Sequence, residues 1–311
     1  MESPQPRATE RRPLGLAGLM VDLVTPLRPD RSVDLYALEG LLLHVMAARP
    51  AAVCPVGAAG EGPLLPLGLR AEVTGAVADY LGGAVPVLPL AVGTSLDGVR
   101  VEVTRLAAAG ATAVLAAPLS YYPATAASVS GFYRELAEAA PVPLVLYHSP
   151  DHTGVRVPVE VVAGLARSGA VAGVHDASGD VEYLSNLVAG TEGIPGFGVV
   201  GANDAVLTSS VLNGATGVVS AGANLVPQVA AQAYESAVVR SLHTARVAQR
   251  RLLGIVSAVH RRGFPYGWKA AAHAAGLCGE TAAAAGYGLD AEDSRRLTAE
   301  LASLGAVPAA G

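Results

Sequence analysis

A chain of 311 residues that is 51% hydrophobic and only 15% charged can bury a large core, which excludes global disorder. Its net charge of −5 comes with no basic stripe, so a nucleic-acid partner has no support. Asp22, Pro86 and Pro89 interrupt the apolar runs and leave no span of ~20 apolar residues for a membrane helix. The first residues, 1–13, lack the apolar stretch of a secretory leader and read as a disordered tail. Two cysteines, Cys54 and Cys278, form neither a disulfide framework nor a metal-knuckle spacing. A reduced, cytoplasmic setting follows as the default.

In chain order, apolar β-branched runs predict strands near 18–25, 51–57, 85–93, 112–118, 143–149, 171–177, 196–201 and 217–222. Helical periodicity lies between and after them, at 33–48, 66–81, 96–109, 127–139, 158–168, 180–190, 204–213 and 226–238. Near-continuous apolar strands imply burial on both faces, hence a parallel sheet. Eight strand–helix repeats read as an α/β fold, a (β/α)8 TIM barrel, over residues 14–240. Residues 241–311 carry no strand signal and read as a C-terminal helical extension of about three helices.

A barrel does its chemistry at the C-terminal ends of its strands. Polar groups collect at those positions here: Thr25, then Gly57-Ala58-Ala59-Gly60-Glu61, Tyr121-Tyr122, Tyr147-His148-Ser149-Pro150 with Asp151 and His152, His175-Asp176, Asn203-Asp204, and Ser220. The glycines near these ends supply tight turns. No Gly-Lys-Ser/Thr phosphate loop is present. The chain holds twenty arginines and a single lysine, Lys269.

Five motifs ending predicted strands carry a family resemblance: Val24-Thr25-Pro26, Gly57-x-x-Gly60-Glu61, Tyr147-x-x-Pro150-x-x-Thr153-Gly154, Gly173-x-x-x-Ala177-Ser178-Gly179-Asp180 and Gly217-Val218-Val219-Ser220. Over residues 15–305 the chain resembles the dihydrodipicolinate synthase / N-acetylneuraminate lyase family. That resemblance implies a homo-oligomeric barrel, a homodimer or homotetramer, that joins or splits pyruvate-type oxo acids without a metal or other cofactor.

The departures fall on the chemistry. The family's sixth strand ends Gly-Ile-Lys-Glu-Ala-Ser-Gly-Asp, and its lysine forms an imine with the substrate ketone; here that position is His175, which cannot serve as the imine's electron sink. By the same alignment Lys269 belongs to the extension, outside the pocket. The family's Gly-Thr-Thr-Gly-Glu binds the substrate carboxylate through its threonines. Here they are Ala58 and Ala59, leaving only backbone N–H groups to receive an anion. The arginine that holds a second carboxylate in the synthases aligns with His152. The proton-transfer tyrosine is kept as Tyr147, with Tyr121 as its expected partner and Tyr122 or Ser120 as alternatives from the same loop.

The resulting expectation is a divergent lyase that acts on a small carbonyl substrate by acid–base catalysis, without a lysine imine, in a retro-aldol, dehydration or cyclisation step. His175, near the ordinary histidine pKa of ~6.5, would exchange the proton. Tyr147 and Tyr121 would hold the carbonyl oxygen. Ala58, Ala59, His148, His152, Asp176, Asn203 and Val219 are the expected substrate contacts. Two alternatives stand beside this. His148, His152 and His175 with Asp151, Asp176 or Glu61 offer metal-ligand types, although His148 and His152 span a turn rather than one helix face; or the barrel has lost catalysis and serves as a binding or regulatory protein. Glu61 is expected to cap its loop, Cys54 to fill the core, and Tyr266 and Trp268 to pack the extension. Loss of the hydroxyls and the arginine points to a ligand less anionic, larger and more apolar than pyruvate with an amino-acid semialdehyde.

Overall fold

A computed structural model describes residues 14–308; the tail expected over residues 1–13 lies outside the described residues. Short apolar runs form β1 (Gly18–Asp22), β2 (Ala52–Cys54), β3 (Leu90–Ala91), β4 (Val114–Ala116), β5 (Leu144–His148), β6 (Gly173–Asp176), β7 (Gly198–Gly201) and β8 (Gly217–Ser220). Each is followed by a helix: α1 (Leu35–Val45), α2 (Leu67–Leu81), α3 (Leu96–Ala108), α4 (Ala126–Ala139), α5 (Val159–Arg167), α6 (Val181–Thr191), α7 (Leu207–Leu212) and α8 (Pro227–Val238). The strands are all parallel, in the order β2-β1-β8-β7-β6-β5-β4-β3. A parallel bridge between Val53 and Val87 joins the two ends, with Val53 N–H donating to the Pro86 carbonyl at 2.9 Å. The result is the expected (β/α)8 barrel.

The observed strands are shorter than predicted, and β3 shows why. The run 85–93 contains Pro86 and Pro89, and a proline offers no N–H to the ladder. Pairing there shrinks to Leu90–Ala91. Helix starts follow local capping chemistry. Asp34 accepts from Ala37 N–H at 3.1 Å, Thr125 and Ser128 form a reciprocal capping box, and Asp180 accepts from Tyr183 N–H at 3.0 Å. Each such cap contributes about 1 kcal/mol.

Alternation along the strands sorts side chains into two layers. Met20, Ala52, Cys54, Leu90, Leu115, Val145, Tyr147, Val200 and Val219 fill the barrel interior. The opposite faces pack against the helices in two larger clusters. Beyond α8, the chain continues as α9 (Leu242–His260), α10 (Tyr266–Ala274) and α11 (Ala291–Ser303).

The extension is locked to the barrel through its one lysine. Lys269, 2% exposed, donates to the carbonyls of Thr25 at 2.6 Å and Thr281 at 3.1 Å and meets Glu61 Oε1 at 2.9 Å. Glu61 Oε2 in turn accepts from Ala283 N–H at 2.7 Å. The Glu61 side chain makes no capping bond in its own loop, contrary to expectation; it joins the β2 loop to the extension instead. Breaking a buried ion pair on one side leaves an uncompensated charge. Lys269→Met is expected to lower stability by about 3–5 kcal/mol, read from urea unfolding. Adding Glu61→Gln should recover part of that loss; a single variant with unchanged stability would contradict the assignment.

Candidate active site

In-register pairing sets the site. Tyr147 of β5 lies opposite His175 of β6, and His148 lies opposite Asp176. Because successive side chains point to opposite faces, Tyr147 and His175 enter the barrel mouth while His148 and Asp176 face the helices. The Tyr147 and His175 rings meet edge to face, with centroids 5.0 Å apart at 86°. They line a cavity of about 280 Å³ at the C-terminal end of the strands, together with Asp22, Ala58, Ser149, His152, Asn203 and Val219.

His175 is 5% exposed, and its Nδ1 has no hydrogen-bond partner. Burial pulls its pKa down to about 4, opposed by the Asp176 carboxylate and reinforced by His148. The imidazole is therefore neutral at physiological pH, which corrects the expectation of an ordinary histidine. Burial and nearby Asp22 hold the Tyr147 hydroxyl far above the ordinary tyrosine range, against a hydrogen bond from Ser149. It stays protonated and remains a donor. Ser149 Oγ also lies 2.7 Å from His152 Nδ1. His152 stacks on Phe264, 5.1 Å between ring centroids, and burial lowers its pKa, against the pull of Asp151.

Four expected contacts are not brought into this cavity. His148 is fully buried behind the strand, its Nδ1 2.8 Å from Asp176 Oδ1, and its ring stacks on Tyr183 of α6 at 4.3 Å. Asp176 also accepts from Ser178 N–H at 3.1 Å. Both belong to the strand–helix layer, where they fix the turn after β6. Ala59 is buried too, and its N–H donates to Asp22 Oδ2 at 2.9 Å, so that amide is not free for a ligand anion. Tyr121 is 81% exposed and packs edge-on against Tyr122, centroids 4.9 Å apart; it does not reach Tyr147 within its own chain. Since His148 and His175 face opposite sides of the sheet, the three histidines considered as metal ligands do not converge. Among the described residues no group of three or more histidine, cysteine or acidic side chains is arranged to hold a metal ion.

The structure adds residues that the sequence reading passed over. Asp22 ends β1 on the interior face, in register with Cys54. Its Oδ1 is shut off from solvent and lacks a hydrogen-bond partner. A Cβ on Gly57 would stand 2.1 Å from that oxygen, so a side chain there would displace the carboxylate from this position. Burial raises the Asp22 pKa to about 7, against the Ala59 hydrogen bond and with help from Asp204. Its only sequence signal was an acidic residue inside the apolar run Leu-Met-Val-Asp-Leu-Val. Asp204 also borders the cavity, but its oxygens are taken by Ser220 and by the Ala221 and Gly222 N–H groups at 3.0 and 2.9 Å. From the extension, His260, Phe264 and Trp268 complete the wall, and Trp268 Nε1 has no partner. Trp268 thus both packs the extension, as expected, and borders the cavity.

The titration of Asp22 has a definite sign. Its folded pKa of about 7 lies above the ordinary 3.8, so the native state holds the extra proton between those values and the contribution of this carboxyl to stability is lost as pH rises through that window. His175 acts oppositely, with stability lost as pH falls from 6.5 toward 4. Relative to wild type, Asp22→Asn is expected to gain stability as pH rises from 4 to 7, by at most about 1.4 kcal/mol per pH unit. Thermal unfolding at several pH values reads this directly, and a flat difference would contradict the buried carboxylate.

Comparison with known proteins bears on this geometry. The model of the dihydrodipicolinate synthetase family matches residues 15–302. An uncharacterized DapA-like lyase of Halobacterium salinarum is 32% identical over 293 residues, covering 94% of this chain and 95% of that protein. A 4-hydroxy-tetrahydrodipicolinate synthase of Chlorobium limicola is 31% identical over 294 residues, covering 94% and 98% respectively. Among solved structures, the dihydrodipicolinate synthase of Bacteroides thetaiotaomicron superposes with a TM-score of 0.88 at 27% identity, over 93% of this chain and 98% of that one. With its barrel, its strand-end motifs and a family match over nearly its whole length, the chain belongs to the dihydrodipicolinate synthetase family.

Proposed function

We propose that the protein is a divergent lyase of its family that works on a small carbonyl compound by acid–base chemistry, without a lysine imine. The observation that carries this is the pairing of a buried, neutral, unpartnered His175 with a protonated Tyr147 in one cavity. The chain's single lysine is meanwhile enclosed by two carbonyls and a carboxylate. A neutral imidazole accepts a proton from a β-hydroxyl or from a carbon next to the carbonyl. The Tyr147 hydroxyl donates to the carbonyl oxygen as negative charge develops there, the place an iminium would otherwise take. In a retro-aldol step the β-hydroxyl proton passes to His175 and the C–C bonding electrons pass to the carbonyl. The enolate then collects a proton. Dehydration and cyclisation use the same two groups.

Proton exchange gives a test that needs no natural substrate. In D2O, the protein is expected to catalyse α-hydrogen exchange of simple carbonyl compounds, followed by proton NMR. His175→Ala should reduce the rate by about 10²–10⁴-fold, and Tyr147→Phe should impair it as well. Because His175 titrates near 4, the acid limb of the exchange rate should fall near pH 4 rather than near 6.5. Intact mass after borohydride reduction with pyruvate should be unchanged. A reduced adduct on Lys269, or exchange indifferent to His175→Ala, would refute this reading.

The expected homo-oligomer belongs to the same proposal. The exposed Tyr121–Tyr122 pair offers an aromatic contact of the kind enriched between subunits. Light scattering should give a dimer or tetramer, shifted toward smaller species by Tyr121→Ser with Tyr122→Ser; a monomeric wild type would overturn it. The buried, unpaired Cys54 and Cys278 suit the reducing cytoplasm proposed for it, and among the described residues no helix is long and apolar enough to cross a membrane.

A further inference from the structure

The charge of the cavity narrows the substrate class. Its lining contains no lysine or arginine but three aspartates, Asp22, Asp151 and Asp204. Asp204 is committed to the turn after β8, and Asp151 is exposed at the rim. Asp22 is different. One of its oxygens occupies the Ala59 amide, the group on the Gly57–Gly60 loop that would otherwise greet an anion. The other, against Gly57, is left unpaired.

Two more polar atoms of the lining residues are buried without partners, His175 Nδ1 and Trp268 Nε1. Buried polar groups without partners are rare in native proteins and call for an explanation. A bound ligand supplies one here. An O–H or N–H donor satisfies Asp22, and a carbonyl or hydroxyl oxygen satisfies Trp268, which can only donate. A carboxylate has no donor for Asp22 and would bring a second negative charge into a site with no cation to meet it.

We infer that Asp22 reverses the charge preference of this pocket: it serves as the resident anion of the Gly57–Gly60 loop and selects a carbonyl compound whose inner end is a hydroxyl or ammonium group, not a carboxylate. The inference rests on the proposal that this cavity is the substrate site, and it is tested by binding alone. Three ketones of similar size serve as probes for the full-length protein in mildly alkaline buffer: dihydroxyacetone, aminoacetone and pyruvate. By titration calorimetry, wild type is expected to bind dihydroxyacetone or aminoacetone at least about tenfold more tightly than pyruvate. Whichever of the two binds more tightly identifies the donor.

Asp22→Ala frees the Ala59 amide and removes the charge. It is expected to gain at least about tenfold for pyruvate while losing affinity for the preferred probe, and the near-isosteric Asp22→Asn should lose the preference for aminoacetone over pyruvate. Pyruvate binding to wild type as tightly as the other two, no binding of any probe, or a ratio unchanged in Asp22→Ala would each overturn the inference. The wild-type comparison stands even if a variant fails to fold. Loss of proton exchange with the binding ratio intact would sink the catalytic reading only; an even ratio with exchange intact would sink only this one.

Discussion

Pairing of β5 with β6, residue against residue, decides which groups can meet a substrate. Tyr147 stands opposite His175 on the inner face, and one position later His148 stands opposite Asp176 on the outer face. A slip of β6 alone by one residue would turn His175 to the outer face and set Val174 or Asp176 opposite Tyr147. The outer pair helps hold the inner one in place. His148 bonds Asp176 and stacks on Tyr183, whose hydroxyl is fastened to the Val157 carbonyl at 2.6 Å, so that the backbone carrying His175 is pinned from behind.

Burial then sets the chemical character of the inner pair. Both groups are held in their uncharged forms, the imidazole by a lowered pKa and the phenol by a raised one. Low polarity strengthens any hydrogen bond they make to a ligand and makes every unmatched polar atom costly. Asp22 belongs to the same balance, since its carboxyl gives up its proton only near pH 7 because the surrounding barrel withholds water.

The barrel and its helices were legible because their signal is repetitive. Eight apolar runs, each followed by a 3.6-residue pattern, leave few other folds. The extremities of the strands were less so, since Pro86 and Pro89 act through missing ladder bonds that a hydropathy pattern does not register. At the site, His175 and Tyr147 could be found because strand ends and motif spacing mark them. His148 and Asp176 were drawn into the pocket by adjacency in sequence, whereas alternation in a strand sends neighbours to opposite faces. Asp22 was visible only as an interruption of an apolar run. Its meaning depends on Gly57 and Ala59, some 35 residues away, and no local pattern encodes that encounter. Trp268 and Phe264 reach the cavity through tertiary packing of the extension, equally beyond local reading.

The burial of Lys269 also shapes the outside of the molecule. With the chain's one ammonium side chain committed to Glu61 and two carbonyls, every cationic side chain at the described surface other than histidine is a guanidinium. Reagents and modifying enzymes that act on lysine amines, from acyl donors to glycating sugars, find no lysine target on the folded barrel. They gain one only when the extension lifts away from the Gly57–Gly60 loop, so acylation of Lys269 would report that opening as a chemical clock.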